Sequence, residues 1–546
     1  MARAAVLVLI VLLAANVWGG RRQLSVRRDA EGQLELVEGW VDGALVTADF
    51  NNTINTTGWS FLKIIGPTDV GDDMALAKAA GMAEGAATAD LMLMHWKNTL
   101  AGFCSKESAL CDKVTAFIRA NQQFMEESVA KYSESDPFWY QVQLFLAQLE
   151  GLVDGYTSTG LEPLTIQQLF LMQISGDLDA LQSALSDSGE VGDKVIGAGK
   201  CSALVKLLPD HSELFVSHDT WEEYQSMLRI YKLYDLRFST AGNIAEVVPG
   251  HRVSFSSYPG MLLSGDDFYQ LSSKLVTTET TFGNSNPALW KYVTPETVFE
   301  GIRNVAANRL ATSGEEWCRY FSNYNSGTYN NQWMVVDYKL FERGQSSLQD
   351  GLLWVLEQLP GKIVMEDQTD MLRTKSYWPS FNIPYYPNIF NESGFAAMEK
   401  KYGTWFSWDM SPRAQIFARN HSHVTDMTSM VSLMRYNNFQ HDPLSRCNCT
   451  PPYSGENAIS ARSDLNPPDG KYPFGALGHR YHGGTDNKAT SSALMEDGSS
   501  LGCVATSGPT HRQQPPFQWS TSGYSPKPLG HPDKWEFYPV NLSWDS

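Results

Sequence analysis

The sequence predicts an α+β protein, with sheets covered by helices, and three observations carry that reading. The first third is helical in character. A Gly-, Ser- and charge-rich break follows at residues 186–200, and from Cys201 onward the pattern turns to strands. In chain order, Ala75–His95 is rich in Ala and Met, with the apolar spacing of a buried helix. Asp136 and Pro137 place an N-cap and a first-turn proline ahead of a helix over Phe138–Val153, and a third helix is expected over Thr165–Leu185. Residues 186–200, SDSGEVGDKVIGAGK, have little to bury and read as a linker.

After the linker, CSALVKLL (Cys201–Leu208) and ELFVS (Glu213–Ser217) are expected to pair as strands around a turn at Pro209–Ser212. Thr220–Phe238 reads as an aromatic-rich helix opened by a capping box from Thr220 to Glu223. Strands follow at Arg252–Ser257, Lys274–Thr281 and Gln332–Phe341, with a helix at Pro295–Leu310 between them. The last hundred or so residues, rich in Pro, Gly, His and aromatics, read as ordered loops over a scaffold. The organisation is therefore a leader at 1–19, a helical chain over 20–185, the linker at 186–200 and a strand-rich chain over 201–546.

A chain of 546 residues can bury a large core. Its 42 basic residues against 60 acidic ones give a net charge of −18, a field that repels phosphates and argues against nucleic acid as a partner. Arg3 precedes the apolar run Ala4–Ala15, which is too short to span a bilayer of roughly 30 Å. A cleaved secretory signal is expected, with no transmembrane anchor after it. Asn51, Asn55, Asn391, Asn420, Asn448 and Asn541 each stand two residues before Ser or Thr, and behind a signal they predict a glycoprotein. Cysteines number seven, an odd count in an oxidising compartment. Cys104 with Cys111 would close a short loop, whereas Cys447, Cys449 and Cys503 form a second neighbourhood of open connectivity.

Three chemical candidates compete. Gly498–Gly502 matches G-x-S-x-G around Ser500, but the segment before it is polar, Gly508–Pro509 breaks any following helix, and His531 precedes Asp533 in the wrong order. His421 with His423, or His479 with His482, lack an HExxH or CxxC companion and read as surface or pH-responsive histidines, so neither a metal nor a cofactor is expected. Cys201 stands directly after a flexible linker and directly before a strand, where an N-terminal nucleophile hydrolase carries its catalytic residue. A structural cysteine at a strand start is the alternative.

Around Cys201 the stretch GKCSALVKLLPDHSELFVSHDTWEEYQSMLRIYKLYDLRF closely resembles the phospholipase B-like (lamina-ancestor) family of lysosomal glycoproteins. So do SSYPGMLLSGDD, ETTFGNSNP, GTYNNQWMVVD, YWPSFNIPYY, SPRAQIF, RYNNFQHDP and ATSGPTHRQQPPFQWSTS, in order along the chain. The resemblance implies a four-layer αββα N-terminal nucleophile (Ntn) hydrolase fold, a lysosomal or secreted location, and maturation into two chains that stay associated. Scission is then expected between Lys200 and Cys201, leaving Cys201 as nucleophile and its α-amine as proton carrier. His218 and Asn382 match pocket positions, and Arg413 matches a pocket cation. Asn382 would donate its side-chain N–H to the oxyanion, a role worth about 3–4 kcal/mol. Asp219 would bind the α-ammonium, with Asp219 or Thr220 as a plain helix cap the alternative.

An ordinary α-amine, with a pKa of about 7.7–8.0, is only ~0.1–0.2% unprotonated near pH 5. A thiolate–ammonium pair supported by Arg413 or His218 is therefore the expected working state. The implied reaction is removal of fatty acyl groups from phospholipids. An amidase or peptidase on small N-acyl substrates is the runner-up, and a lumenal binding glycoprotein with little turnover is the third reading. The partners expected are the acyl substrate and the chain's own cleaved N-terminal part, with a homodimer left open.

Overall fold

The computed structural model describes residues 20–69, 71–103, 108–186, 195–197 and 199–544. Two sheets organise it. The larger has eleven strands in the order Lys362–Asp367, Leu353–Leu359, Asn331–Asp337, Leu275–Thr281, Phe268–Leu271, Arg252–Ser257, Ile230–Asp235, Ser60–Ile65, Val46–Asn52, Gly20–Arg28 and Leu34–Glu38. Every neighbouring pair is antiparallel except Ser60–Ile65 with Ile230–Asp235, where the N-terminal part of the chain joins the part after the linker. The smaller runs Tyr377–Ser380, Cys201–Leu207, Leu214–Glu223, Asp486–Ser491, Cys503–Ser507 and Val540–Leu542, with His482–Gly484 also paired to Leu214–Glu223.

Alternation along the strands assigns the faces. Tyr231, Leu233, Met334 and Val336 of the large sheet share a core with Ala203, Val205, Phe215 and Val216 of the small one. Residues of the helices Pro412–Asn420 and Met427–Met434, including Ile416 and Met430, belong to the same core. On the other face of the large sheet, Ile230, Tyr234, Trp333 and Val335 pack with the helices Asp73–Thr99, Glu300–Leu310 and Gly314–Ser322.

The Ala-rich helix Asp73–Thr99 owes its tight seat to glycines. A Cβ on Gly81 would lie 1.8 Å from the Gln148 carbonyl oxygen, and one on Gly151 would lie 1.9 Å from that of Lys78. The helix therefore meets Pro137–Ser158 backbone to backbone, a contact that larger side chains would hold apart. Asp136 caps that second helix by accepting from the Phe138 N–H, as the Asp-Pro pair predicts.

The structure corrects several expectations. The chain from 20 to 185 is not helical throughout: it opens with the four strands Gly20–Arg28, Leu34–Glu38, Val46–Asn52 and Ser60–Ile65. Leu34–Glu38 is the edge strand, and both it and Gly20–Arg28 are largely exposed or half-exposed and carry charged residues, which masks their strand pattern. Thr220–Phe238 is not a helix, because Leu214–Glu223 and Ile230–Asp235 are strands and Thr220 lies mid-ladder opposite Cys201. Neither Asp219 nor Thr220 is a helix cap. Thr165–Leu185 splits into Ile166–Gln173 and Leu178–Leu185 around a tight turn at Ser175–Asp177. The helix expected from Pro295 begins at Glu300, and the strand expected to reach Phe341 ends at Asp337. The helix Ser108–Tyr132 lies within the stretch expected to be helical, without bounds of its own in the sequence reading. Within the last hundred residues, Asp486–Ser491 and Cys503–Ser507 are inner strands of the small sheet rather than loop.

Cys503 is a free buried thiol, as are Cys201 and Cys318, so it leaves the disulfide set. Cys447 pairs with Cys449, and Cys111 is disulfide-bonded. Cys104, the leader at 1–19 and linker residues 187–194 and 198 lie outside the described residues. Asn51, Asn55, Asn391, Asn448 and Asn541 are exposed and Asn420 is half-buried, so none of the six sequon amides is shut in the core. Among the described residues no helix is long and apolar enough to cross a membrane.

Candidate active site

Cys201 is the first residue of the inner strand Cys201–Leu207 and is 2% exposed. The ladder with Leu214–Glu223 sets Cys201 opposite Thr220, Ser202 opposite Asp219 and Ala203 opposite His218. Residues directly opposite share a face, so the side chains of Cys201, His218 and Thr220 lie on one side of the sheet, and Ser202 and Asp219 on the other. Glu279, from the large-sheet strand Leu275–Thr281, completes the first group: a thiol, an imidazole and a carboxylate oxygen lie within 4.8 Å of one another.

The state of His218 follows from its neighbour. Lys488 Nζ sits 2.9 Å from His218 Nδ1, and an ammonium only donates, so Nδ1 accepts and the ring proton resides on Nε2. Burial, then the Lys488 charge, holds the imidazole well below its ordinary pKa. His218 is therefore neutral, which corrects its expected part as a supporting cation. With its proton on Nε2 the ring has no free lone pair for a metal, so the trio does not suit one.

Lys488 belongs to a fully buried charge cluster. Its Nζ also lies 2.9 and 3.0 Å from the Asp486 carboxylate oxygens, 3.1 Å from Asp266 and 2.6 Å from the Thr220 hydroxyl, acceptors that share its three N–H groups, while Arg229 pairs with Asp486 at 2.7 Å and also with Asp266. Two cations thus meet two carboxylates, and the cations hold Asp486 down at about 2 although burial pushes it up. None of the four was singled out in the sequence.

Arg413, at the start of the helix Pro412–Asn420, donates to the Cys201 carbonyl at 2.7 Å and to the Ser202 hydroxyl at 3.3 Å. It stacks on Trp221, 4.2 Å from the ring centroid. Burial lowers its pKa to about 10, so it remains a cation. Asn382 has φ +66°, donates its side-chain N–H to the Thr281 carbonyl at 2.6 Å and leaves Oδ1 without a hydrogen-bond partner. That oxygen lies at Gly199, where a Cβ would come within 2.8 Å of it. Asp219 is buried with neither carboxylate oxygen hydrogen-bonded, and a Cβ on Gly484 would lie 2.5 Å from its Oδ1.

The Lys200 carbonyl, bonded to the Cys201 nitrogen in the unprocessed chain, accepts a hydrogen bond from the Trp221 N–H. Burial, then the Glu279 carboxylate, raises the Cys201 pKa well above the ordinary thiol value. In the uncut protein Cys201 is a thiol.

The family model described as Phospholipase B matches residues 46–542. The chain belongs to the phospholipase B-like family. Phospholipase B-like 2 of Homo sapiens is 49% identical over 538 residues, covering 96% of this chain and 90% of the relative. Phospholipase B-like 1 of Caenorhabditis elegans is 43% identical, with 92% and 87% covered, and phospholipase B-like protein B of Dictyostelium discoideum is 38% identical, with 95% and 89% covered. Their names state a likeness to a phospholipid hydrolase. Within this family member, the sequence reading missed Glu279 and Lys488. Each is a charged residue inside a buried strand, LVTTETT and DNKATS, and that mismatch is the signal that marks them.

Of the remaining histidine candidates, His482 is not at the surface as expected: it is buried in the strand His482–Gly484 with Nδ1 unpartnered, and burial holds its pKa well below the ordinary value. His421 stacks on Tyr377 at 3.9 Å, and His479 Nδ1 lies 2.8 Å from the Asn466 carbonyl. Ser500 only closes a turn on Asp497, whose carboxylate accepts from the Ser500 N–H at 3.0 Å.

Proposed function

We propose that this phospholipase B-like chain is a thiol acyl hydrolase of the N-terminal nucleophile class, on a four-layer αββα fold, matured by its own scission at Lys200–Cys201. One observation carries the reading. The carbonyl bonded to the Cys201 nitrogen is held on the Trp221 N–H, beside a buried thiol at the start of an inner strand. Attack of the Cys201 sulfur on that carbonyl moves the Lys200 acyl group from nitrogen to sulfur and frees the Cys201 α-amine, and water then hydrolyses the thioester, releasing the Lys200 carboxylate and restoring the thiol. The Trp221 N–H stabilises the charge that develops on the carbonyl oxygen in both steps.

In the matured site the same sulfur attacks substrate, and the α-amine carries its proton to the leaving group. Arg413 is the supporting cation, since it holds the Cys201 carbonyl at 2.7 Å. Neutral His218 acts as an Nε2–H donor beside the sulfur, a role that asks for no charge change near pH 5. The family name brings phospholipid fatty-acyl esters as the substrate. The second reading, amides of small N-acyl compounds, is favoured by the peptide bond seated at Cys201. The leader and the sequons support entry into the secretory pathway, in keeping with a lysosomal lumen as the site of reaction, and the strand pair Ser60–Ile65 with Ile230–Asp235 would keep the N-terminal chain as a partner.

The test is an electrophilic acyl probe on the matured protein, followed by kcat/KM for a panel of phospholipids and N-acyl amides. Labelling at Cys201 with turnover of one substrate class is the expected result. An unlabelled Cys201 alongside undiminished turnover contradicts it.

A further inference from the structure

The residues just ahead of Cys201 are seated in the site. The Ile196 carbonyl accepts from the Ala476 N–H at 3.1 Å, and Gly197, at φ +79°, has room for no side chain against Trp405 and Phe474. Gly199 is buried, and a Cβ there would meet Asn382, Arg413 and Trp221 at 2.8, 3.1 and 3.2 Å. Lys200 then turns its side chain onto Glu222, with Nζ donating to Oε1 at 3.1 Å and to Oε2 at 2.9 Å. The pair is partly dry, with side-chain exposures of 34% and 28%, and Asp179 and Glu223 add to the negative field on the same ammonium.

We infer that Glu222 is a permanent subsite for a cation on the acyl side of the scissile bond, so that the matured protein prefers amides or esters whose acyl half ends in a lysine-like alkylammonium residue preceded by glycine. This rests on the reading of Cys201 as the nucleophile. During maturation Lys200 is itself the acyl group on sulfur, so its seat is the seat of any later acyl group. In each turnover sulfur bonds to the carbonyl carbon and the C–N or C–O bond breaks. The leaving group departs with a proton, and water restores the thiol while releasing the carboxylic acid. For any later acyl group to reach the sulfur, the freed Lys200 end of the retained N-terminal chain must leave this seat, and Glu222 then faces a place that a fatty acyl chain cannot neutralise. An ammonium can. The subsite thus sides with the amide reading, and the tight seat of Gly199 asks for a residue without a side chain before the cation.

The experiment measures binding of Ala-Gly-Lys and Ala-Gly-norleucine to the matured two-chain protein by calorimetry, with alkylation of Cys201 followed on the same sample. The lysine peptide is expected to bind about fivefold more tightly than the norleucine peptide. In Glu222→Gln, a change at a half-exposed strand end, that ratio falls to about one. Equal binding, no binding of either peptide, or a ratio unchanged in Glu222→Gln overturns the inference. Alkylation separates it from the reading beneath: a reactive Cys201 without lysine preference removes the subsite alone, and an inert Cys201 removes the nucleophile, while the peptide ratio still decides Glu222.

Discussion

Lys488 Nζ donates to His218 Nδ1 at 2.9 Å, and this single contact decides what the site histidine can be. It fixes the proton on Nε2 and, together with burial, keeps the ring neutral. The consequence is visible by NMR on histidine-labelled protein: the His218 ring signals stay flat from pH 4.5 to 7.5, with Nδ1 unprotonated throughout. A His218 titration centred near 6.5 would contradict the assignment.

Lys488 also balances the buried carboxylates of Asp266 and Asp486. Lys488→Met leaves two buried anions to Arg229 alone. Urea unfolding should show a loss of about 3–5 kcal/mol, the range for breaking one partner out of a buried ion cluster. A loss below about 1 kcal/mol would mean that the cluster is not charged as described.

Burial pushes the Asp267 carboxyl up to about 7, against the Tyr329 hydroxyl that donates to its Oδ2 at 2.8 Å, and Glu279 and Glu300 are raised with it. An unfolded Asp titrates at about 3.9. Between about pH 4 and 7 the folded chain therefore holds a proton that the unfolded chain has released. This contribution is complete below about pH 4 and is lost as pH rises through about 7, at up to about 1.4 kcal/mol per pH unit. Tm should fall from pH 4.5 to 7.5, and Asp267→Asn, which keeps a side chain suited to φ +60°, should make the fall shallower. An equal slope in the variant would assign the pH dependence elsewhere.

Gly81→Val places a branched side chain where a Cβ already lies 1.8 Å from the Gln148 carbonyl oxygen. Parting the two helices should cost about 3 kcal/mol in urea unfolding. The same change at Gly71, which has no atom within 4 Å of its Cβ position, should have little effect. Equal losses at the two positions would refute the backbone contact.

The sequence made the α+β class legible because Asp136–Pro137 and the apolar run of Cys201–Leu207 are local signals. It hid Gly20–Arg28, whose outer residues are exposed and charged, and it disguised Leu214–Glu223, where Thr220 and Glu223 mimic a capping box. The position of Cys201 and the pocket residues Asn382 and Arg413 came from motifs. The neutrality of His218 could not, because it depends on a lysine 270 positions away. Cys503 was drawn toward Cys447 and Cys449 by sequence proximity, whereas the sheet buries it between Asp486–Ser491 and Val540–Leu542.

N-terminal sequencing of the larger chain of the active protein tests the central claim most directly. The account predicts a chain that begins at Cys201, and a Cys201→Ala protein that stays uncut at that bond. Full activity from a wild-type protein whose Lys200–Cys201 bond is unbroken would contradict it.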